Sequence, residues 1–78
     1  MRVFTVHFRS LRDVQEFVSI CSRYNFPITV GTEGYHVNAT SFMGMFSLNC
    51  RRPQRVMADC SQEEFDSLLQ AVSRFLEP

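Results

Sequence analysis

From Val3 to Phe8 the chain alternates, with Phe4, Val6 and Phe8 on one face and Val3, Thr5 and His7 on the other. A period of two predicts a strand. Ser10 then precedes Asp13 by three, the spacing of a capping box, so a helix begins there. Leu11, Val14, Phe17, Val18, Cys21 and Tyr24 follow at steps of three and four, one apolar stripe. Asn25 ends it ahead of Phe26-Pro27, because proline pushes the chain before it out of helical geometry. Ile28 to Val30 reads as a short strand, Gly31-Thr32-Glu33-Gly34 as a turn, and Tyr35 to Thr40 as the hairpin partner. Both glycines are expected to supply the positive φ of a tight turn.

A short helix over Ser41 to Leu48 comes next, then a polar loop from Asn49 to Pro53. Gln54 to Cys60 alternates again, with Val56, Ala58 and Cys60 facing inward. Ser61 and Glu64 form a second capping box. Behind it Phe65, Leu68, Leu69, Val72, Phe75 and Leu76 keep helical spacing to the end of the chain. The order is β-α-β-β-α-β-α. Short strands with two long amphipathic helices predict an α+β open-faced sandwich, a four-stranded, largely antiparallel sheet with its helices on one face.

Composition narrows the function. Seventy-eight residues are expected to make one domain, 1–78, too small for a substrate domain, lid and cofactor cradle together. An apolar share of 45% with eight Phe predicts a folded chain. Eight acids balance eight bases, all of them Arg. The absence of a basic excess argues against nucleic acid as partner. No run approaches the roughly 20 apolar residues of a membrane span, and no signal core follows Met1. Cys21, Cys50 and Cys60 are odd in number and unevenly spaced, which predicts reduced thiols and a cytoplasmic setting. Cys21 and Cys60 are expected to pack as small hydrophobes, and Cys50 to sit exposed in its loop. His36 lacks any metal-ligand spacing with Cys50 or Asp59, so neither a metal nor a cofactor is expected.

The short middle helix departs from a purely structural pattern. Phe42, Met43, Met45, Phe46 and Leu48 cover more than one face of two turns, and core burial needs only one stripe. Some of them should remain exposed, and methionine suits adaptable binding surfaces. Gly44 inside the helix costs about 1 kcal/mol relative to Ala, which suggests a close approach to the backbone there. From Tyr35 to Ala58 there is no acid, while Arg51, Arg52 and Arg55 lie within that span. An apolar patch beside arginines suits an anionic or acidic partner.

Ser41-Phe42-Met43-Gly44-Met45-Phe46-Ser47-Leu48 resembles the regulatory-serine segment of the HPr family, small phosphocarriers of the bacterial sugar phosphotransferase system. That segment runs Ser, an aliphatic residue, Met-Gly, two apolar residues, then Ser-Leu. The family's element order and chain length are similar to those read here. The resemblance implies an HPr-like fold and a protein that is not an enzyme.

In that family a histidine capping the first helix carries the phosphate, within Gly-Leu/Ile-His-Ala/Thr-Arg-Pro. Imidazole is nucleophilic near neutral pH, and helix N–H groups with an arginine hold the phosphoryl oxygens. A register through Phe17-Val18 and Ser41 puts Ser10 at the histidine position, Arg12 at the arginine and Asp13 at the proline. Serine keeps the cap but is a poor acceptor without a base beside it. The resemblance therefore implies a regulatory or interaction protein that has lost carrier activity. Ser41 would be the site of an ATP-dependent kinase, and Phe42, Met43, Met45, Phe46, Leu48, Arg51 and Arg52 the partner surface. Implied partners are phosphotransferase-system enzymes, HPr kinase or a transcription regulator. The alternative is an active carrier charged from phosphoenolpyruvate through enzyme I on His7, whose His7-Phe8-Arg9 reproduces His-x-Arg in a displaced register.

Overall fold

The computed structural model describes residues 1–32, 34–48 and 52–77. Strands β1 (Arg2–Val6), β2 (Ile28–Thr32), β3 (Tyr35–Asn38) and β4 (Gln54–Ala58) make one sheet in the order β1-β4-β2-β3. All pairings are antiparallel. Helices α1 (Leu11–Cys21), α2 (Phe42–Phe46) and α3 (Gln62–Ala71), with a 3₁₀ turn at Ser73–Phe75, cover one side. This is the open-faced α+β sandwich that the alternation predicts.

The core lies between the layers. Val6, Ile28, Val30, Val56 and Ala58 point up from the sheet, and Val14, Phe17, Val18, Met45, Leu68, Val72 and Phe75 point down from the helices. Phe8, Phe17 and Phe75 pack edge to face around the start of α1. Such ring pairs add about 0.5–1.5 kcal/mol each beyond the area they bury. The opposite sheet face carries Val3, Thr5 and Arg55, all exposed, as a period of two requires.

Several boundaries differ from the sequence reading. α1 stops at Cys21 rather than Asn25, because the Ser22 hydroxyl donates to Val18 O at 2.8 Å and closes the helix early. Strand β3 ends at Asn38, whose side chain turns back to accept from both the N–H and the hydroxyl of Thr40. Gly31 does not supply a positive φ; only Gly34 does, at 86°. Gly31 lies within β2, where an added Cβ would fall 2.0 Å from Tyr35 O, so closeness of backbones excludes a side chain. The last apolar stripe is not one helix. The His7 N–H takes Phe75 O at 2.8 Å, Leu76 bridges to Val6, and the Glu77 N–H takes Thr5 O at 3.0 Å. That segment lies along the outer edge of β1, shielding an edge otherwise open to another strand. Cys60 falls just beyond β4 and is half-buried.

Candidate functional site

Two helix starts hold the serines singled out in the sequence. At the first, Ser10 is the N-cap of α1 and its Oγ accepts the Asp13 N–H at 3.3 Å. The reciprocal arm is displaced by one residue: Asp13 Oδ2 accepts from the Arg9 N–H at 2.9 Å, not from Ser10. Asp13 Oδ1 meets Arg74 Nη1 at 3.2 Å, and the other arm of Arg74 pairs with Glu16. The Arg9 N–H, more than the guanidinium of Arg74, holds the Asp13 carboxyl below the ordinary carboxylate range. An ionised carboxylate thus stands within the first turn, where the helix dipole favours negative charge. Arg12 is exposed beside it.

At the second start, Ser41 caps α2 and its Oγ accepts the Gly44 N–H at 3.2 Å. Gly44 answers the question its position raised. An added Cβ would stand 3.1 Å from Val37 Cβ and 3.3 Å from Ser41 Oγ, so the chain itself makes the close approach. Phe42, Met43 and Phe46 are exposed, Met43 at 81%, and the two rings lie 6.1 Å apart one turn from each other. Met45 does not belong to this surface. It is 0% exposed and part of the core, because one face of even so short a helix must seat it on the layer below. Leu48 is half-buried against the core and Arg52 is exposed. Arg51 and Cys50 lie outside the described residues.

His7 follows β1 directly and continues its edge, with Nδ1 4.0 Å from the Glu77 carboxylate. It heads no helix. His36 is exposed on β3. Cys21 is buried, and desolvation pushes its thiol up to about 12. Cys60 is also raised, by desolvation first and then by Glu64 nearby. Neither is an activated nucleophile. Among the described residues, no three of His, Cys, Asp and Glu are grouped to hold a metal ion, and no helix is long and apolar enough to cross a membrane.

The family model described as PTS HPr component phosphorylation site matches residues 9–78. The chain belongs to the HPr family. HPr-C-His from Thermoanaerobacter tengcongensis is similar in structure at a TM-score of 0.75 and 25% identity, over 95% of this chain and 89% of that one. A phosphocarrier protein HPr from Bacillus anthracis str. Ames gives 0.70 and 22%, over 97% and 94%. The catabolite repression protein Crh of Bacillus subtilis, described as a domain-swapped dimer, gives 0.66 and 24%, over 100% and 92%. At 22% and 24% identity the likeness is one of fold. No curated protein matches the chain. It is accordingly an HPr-type protein of the phosphotransferase system and not an enzyme.

Two features of this HPr chain escaped the sequence reading. Leu11 belongs by its spacing to the apolar stripe, yet it is 62% exposed at the first position of α1, which adjoins α2. The first residue of a helix sits at the rim of the core, and that was the available signal. The pairing of Asp13 with Arg74 joins residues far apart in the chain, and no local pattern announces it.

Proposed function

We propose that this HPr-family chain is a regulatory or interaction protein without phosphocarrier activity, working as a single domain in the cytoplasm through the surface around Ser41. The observation that carries the reading is the exposure of Phe42, Met43 and Phe46 on a helix capped by Ser41. The register through Ser41 assigns the family's histidine position to Ser10, and the surroundings of Ser10 support a loss of carriage. Its Oγ is engaged as a helix cap, and the Asp13 carboxylate in the same turn would repel an incoming phosphoryl group.

Ser41 suits a switch for the opposite reason. No acid occurs from Tyr35 to Ala58. A phosphate adds a charge of about −2, and the start of a helix is the end of the dipole that favours it. Modification would convert an apolar patch in an acid-free stretch into one with an anionic centre, and so change which partner docks. Partners of this surface are phosphotransferase-system enzymes, HPr kinase or a transcription regulator.

The test is incubation with ATP and an HPr kinase, followed by peptide mass spectrometry. The expected product is an acid-stable phosphoserine at Ser41, absent from Ser41→Ala. A Ser41 that stays unmodified while a serine-regulated HPr in the same tube is labelled would contradict the switch.

A further inference from the structure

We propose that the pocket between the β2–β3 hairpin and the end of α2 binds a small hydroxylated phosphate ester, with Arg52 on the phosphoryl group and Tyr35 and Thr32 on the hydroxyls. The pocket encloses about 250 Å³ and is lined by Thr32, Tyr35, Ser47, Leu48, Arg52 and Gln54. It lies at the far end of α2 from Ser41 and is independent of the switch proposed there.

The hydrogen bonds fix what each wall offers. The Ser47 hydroxyl donates its single proton to Gly44 O at 2.6 Å. In its 2.8 Å bond with Tyr35 the Ser47 oxygen must therefore accept, and the tyrosine donates. Tyr35 Oη is left with lone pairs toward the pocket and is an acceptor for a ligand hydroxyl. Thr32 adds a second, exposed hydroxyl.

The other wall is cationic. Arg52 is exposed and pairs with no carboxylate among the described residues. Its backbone is tied down, because Gln54 Nε2 donates to Arg52 O at 3.1 Å. Gln54 is the buried polar side chain of the described core, and it lines the pocket. The negative end of α2 is muted here: the Ser47 N–H and hydroxyl cover Gly44 O, and the Leu48 N–H covers Met45 O. A cation opposite hydroxyl-acceptor oxygens matches a ligand carrying both an anion and hydroxyl groups. The volume falls just below the roughly 300–1,000 Å³ of sites for drug-sized ligands, which suits a small ester.

A neighbouring depression shares Thr32 but lies against Arg55. Alternation along β4 turns Arg55 to the open face of the sheet, away from Gln54. The two guanidiniums therefore report on different sites.

The test is amide NMR of the whole chain titrated with ribose 5-phosphate, with ribose and inorganic phosphate as separate arms. Saturable shifts are expected at Thr32, Tyr35, Ser47 and Leu48 with the ester. Arg52→Gln should weaken binding at least about tenfold, the scale of a lost charged hydrogen bond, and Tyr35→Phe about threefold. Arg55→Gln should leave it unchanged. Because Arg52 is exposed, its variant should keep the native spectrum. Shifts that fail to saturate, equal affinity for inorganic phosphate alone, or loss of binding in Arg55→Gln but not in Arg52→Gln would each overturn the proposal.

Discussion

The starts of α1 and α2 use the same local device to opposite ends. In both a serine oxygen accepts the N–H three residues on, at 3.3 Å for Ser10 and 3.2 Å for Ser41. What differs is the company. Ser10 is followed by Asp13, whose carboxylate takes the Arg9 N–H and the guanidinium of Arg74. Its negative charge is built in. Ser41 is followed by Phe42, Met43 and Phe46, exposed and without an acid anywhere from Tyr35 to Ala58. A helix start is thus only a place where negative charge is welcome, and the neighbouring residues decide whether the site is already filled.

The largest effect should separate the two methionines of α2. Met45→Ala removes a fully buried side chain from the core and should cost about 2–5 kcal/mol, read by urea unfolding. Met43→Ala, at a residue 81% exposed, should leave stability within about 0.5 kcal/mol. It should instead weaken a docked partner about tenfold, read by titration calorimetry. Equal stability losses in both variants would remove the distinction between anchor and surface.

The serines give a second comparison. Ser10→Ala and Ser41→Ala should each lose about 0.5–2 kcal/mol, the ordinary cost of a lost cap. Their consequences should diverge: Ser41→Ala abolishes labelling by the kinase, and Ser10→Ala leaves it intact. A kinase signal that follows Ser10 would reverse the roles assigned to the two helix starts.

Much of this contrast was legible in the sequence, though not all of it. The capping box Ser61–Glu64 forms as its spacing predicts, because both of its bonds are local: the Glu64 N–H to Ser61 Oγ and the Ser61 N–H to Glu64 Oε1. The serine at the head of α2 is found for the same reason. What periodicity missed was decided by contacts distant in sequence. Phe75 and Leu76 keep helical spacing, yet His7 and Val6 draw them onto the edge of β1. Gly31 looks like a turn residue and is needed because Tyr35 and His36 lie against it. Within α2, five residues are too few for the pattern alone to separate Met45 from its exposed neighbours. The Asp13–Arg74 pair, which sets the character of the first helix start, joins opposite ends of the chain.

The smallest effect concerns pH. Asp13 has a lowered pKa in the folded state, chiefly through the Arg9 N–H. The unfolded carboxyl therefore binds its proton more readily, and the stabilisation is fully present above the unfolded value of roughly 4. It is lost as pH falls through the lower folded value. Asp13→Asn should flatten that acid limb by lowering stability modestly near neutrality, so that the two profiles converge at low pH. An unchanged acid limb would mean that the carboxylate is not held as described.

The central claim is that the first helix start has ceased to carry phosphate. Its most direct test is transfer from phosphoenolpyruvate through enzyme I, read by intact mass, with a carrier HPr in a parallel tube. The account predicts no added phosphate on this chain while the control is fully labelled. One acid-labile phosphate, lost in His7→Ala, would contradict it and make the chain a carrier on the edge of β1.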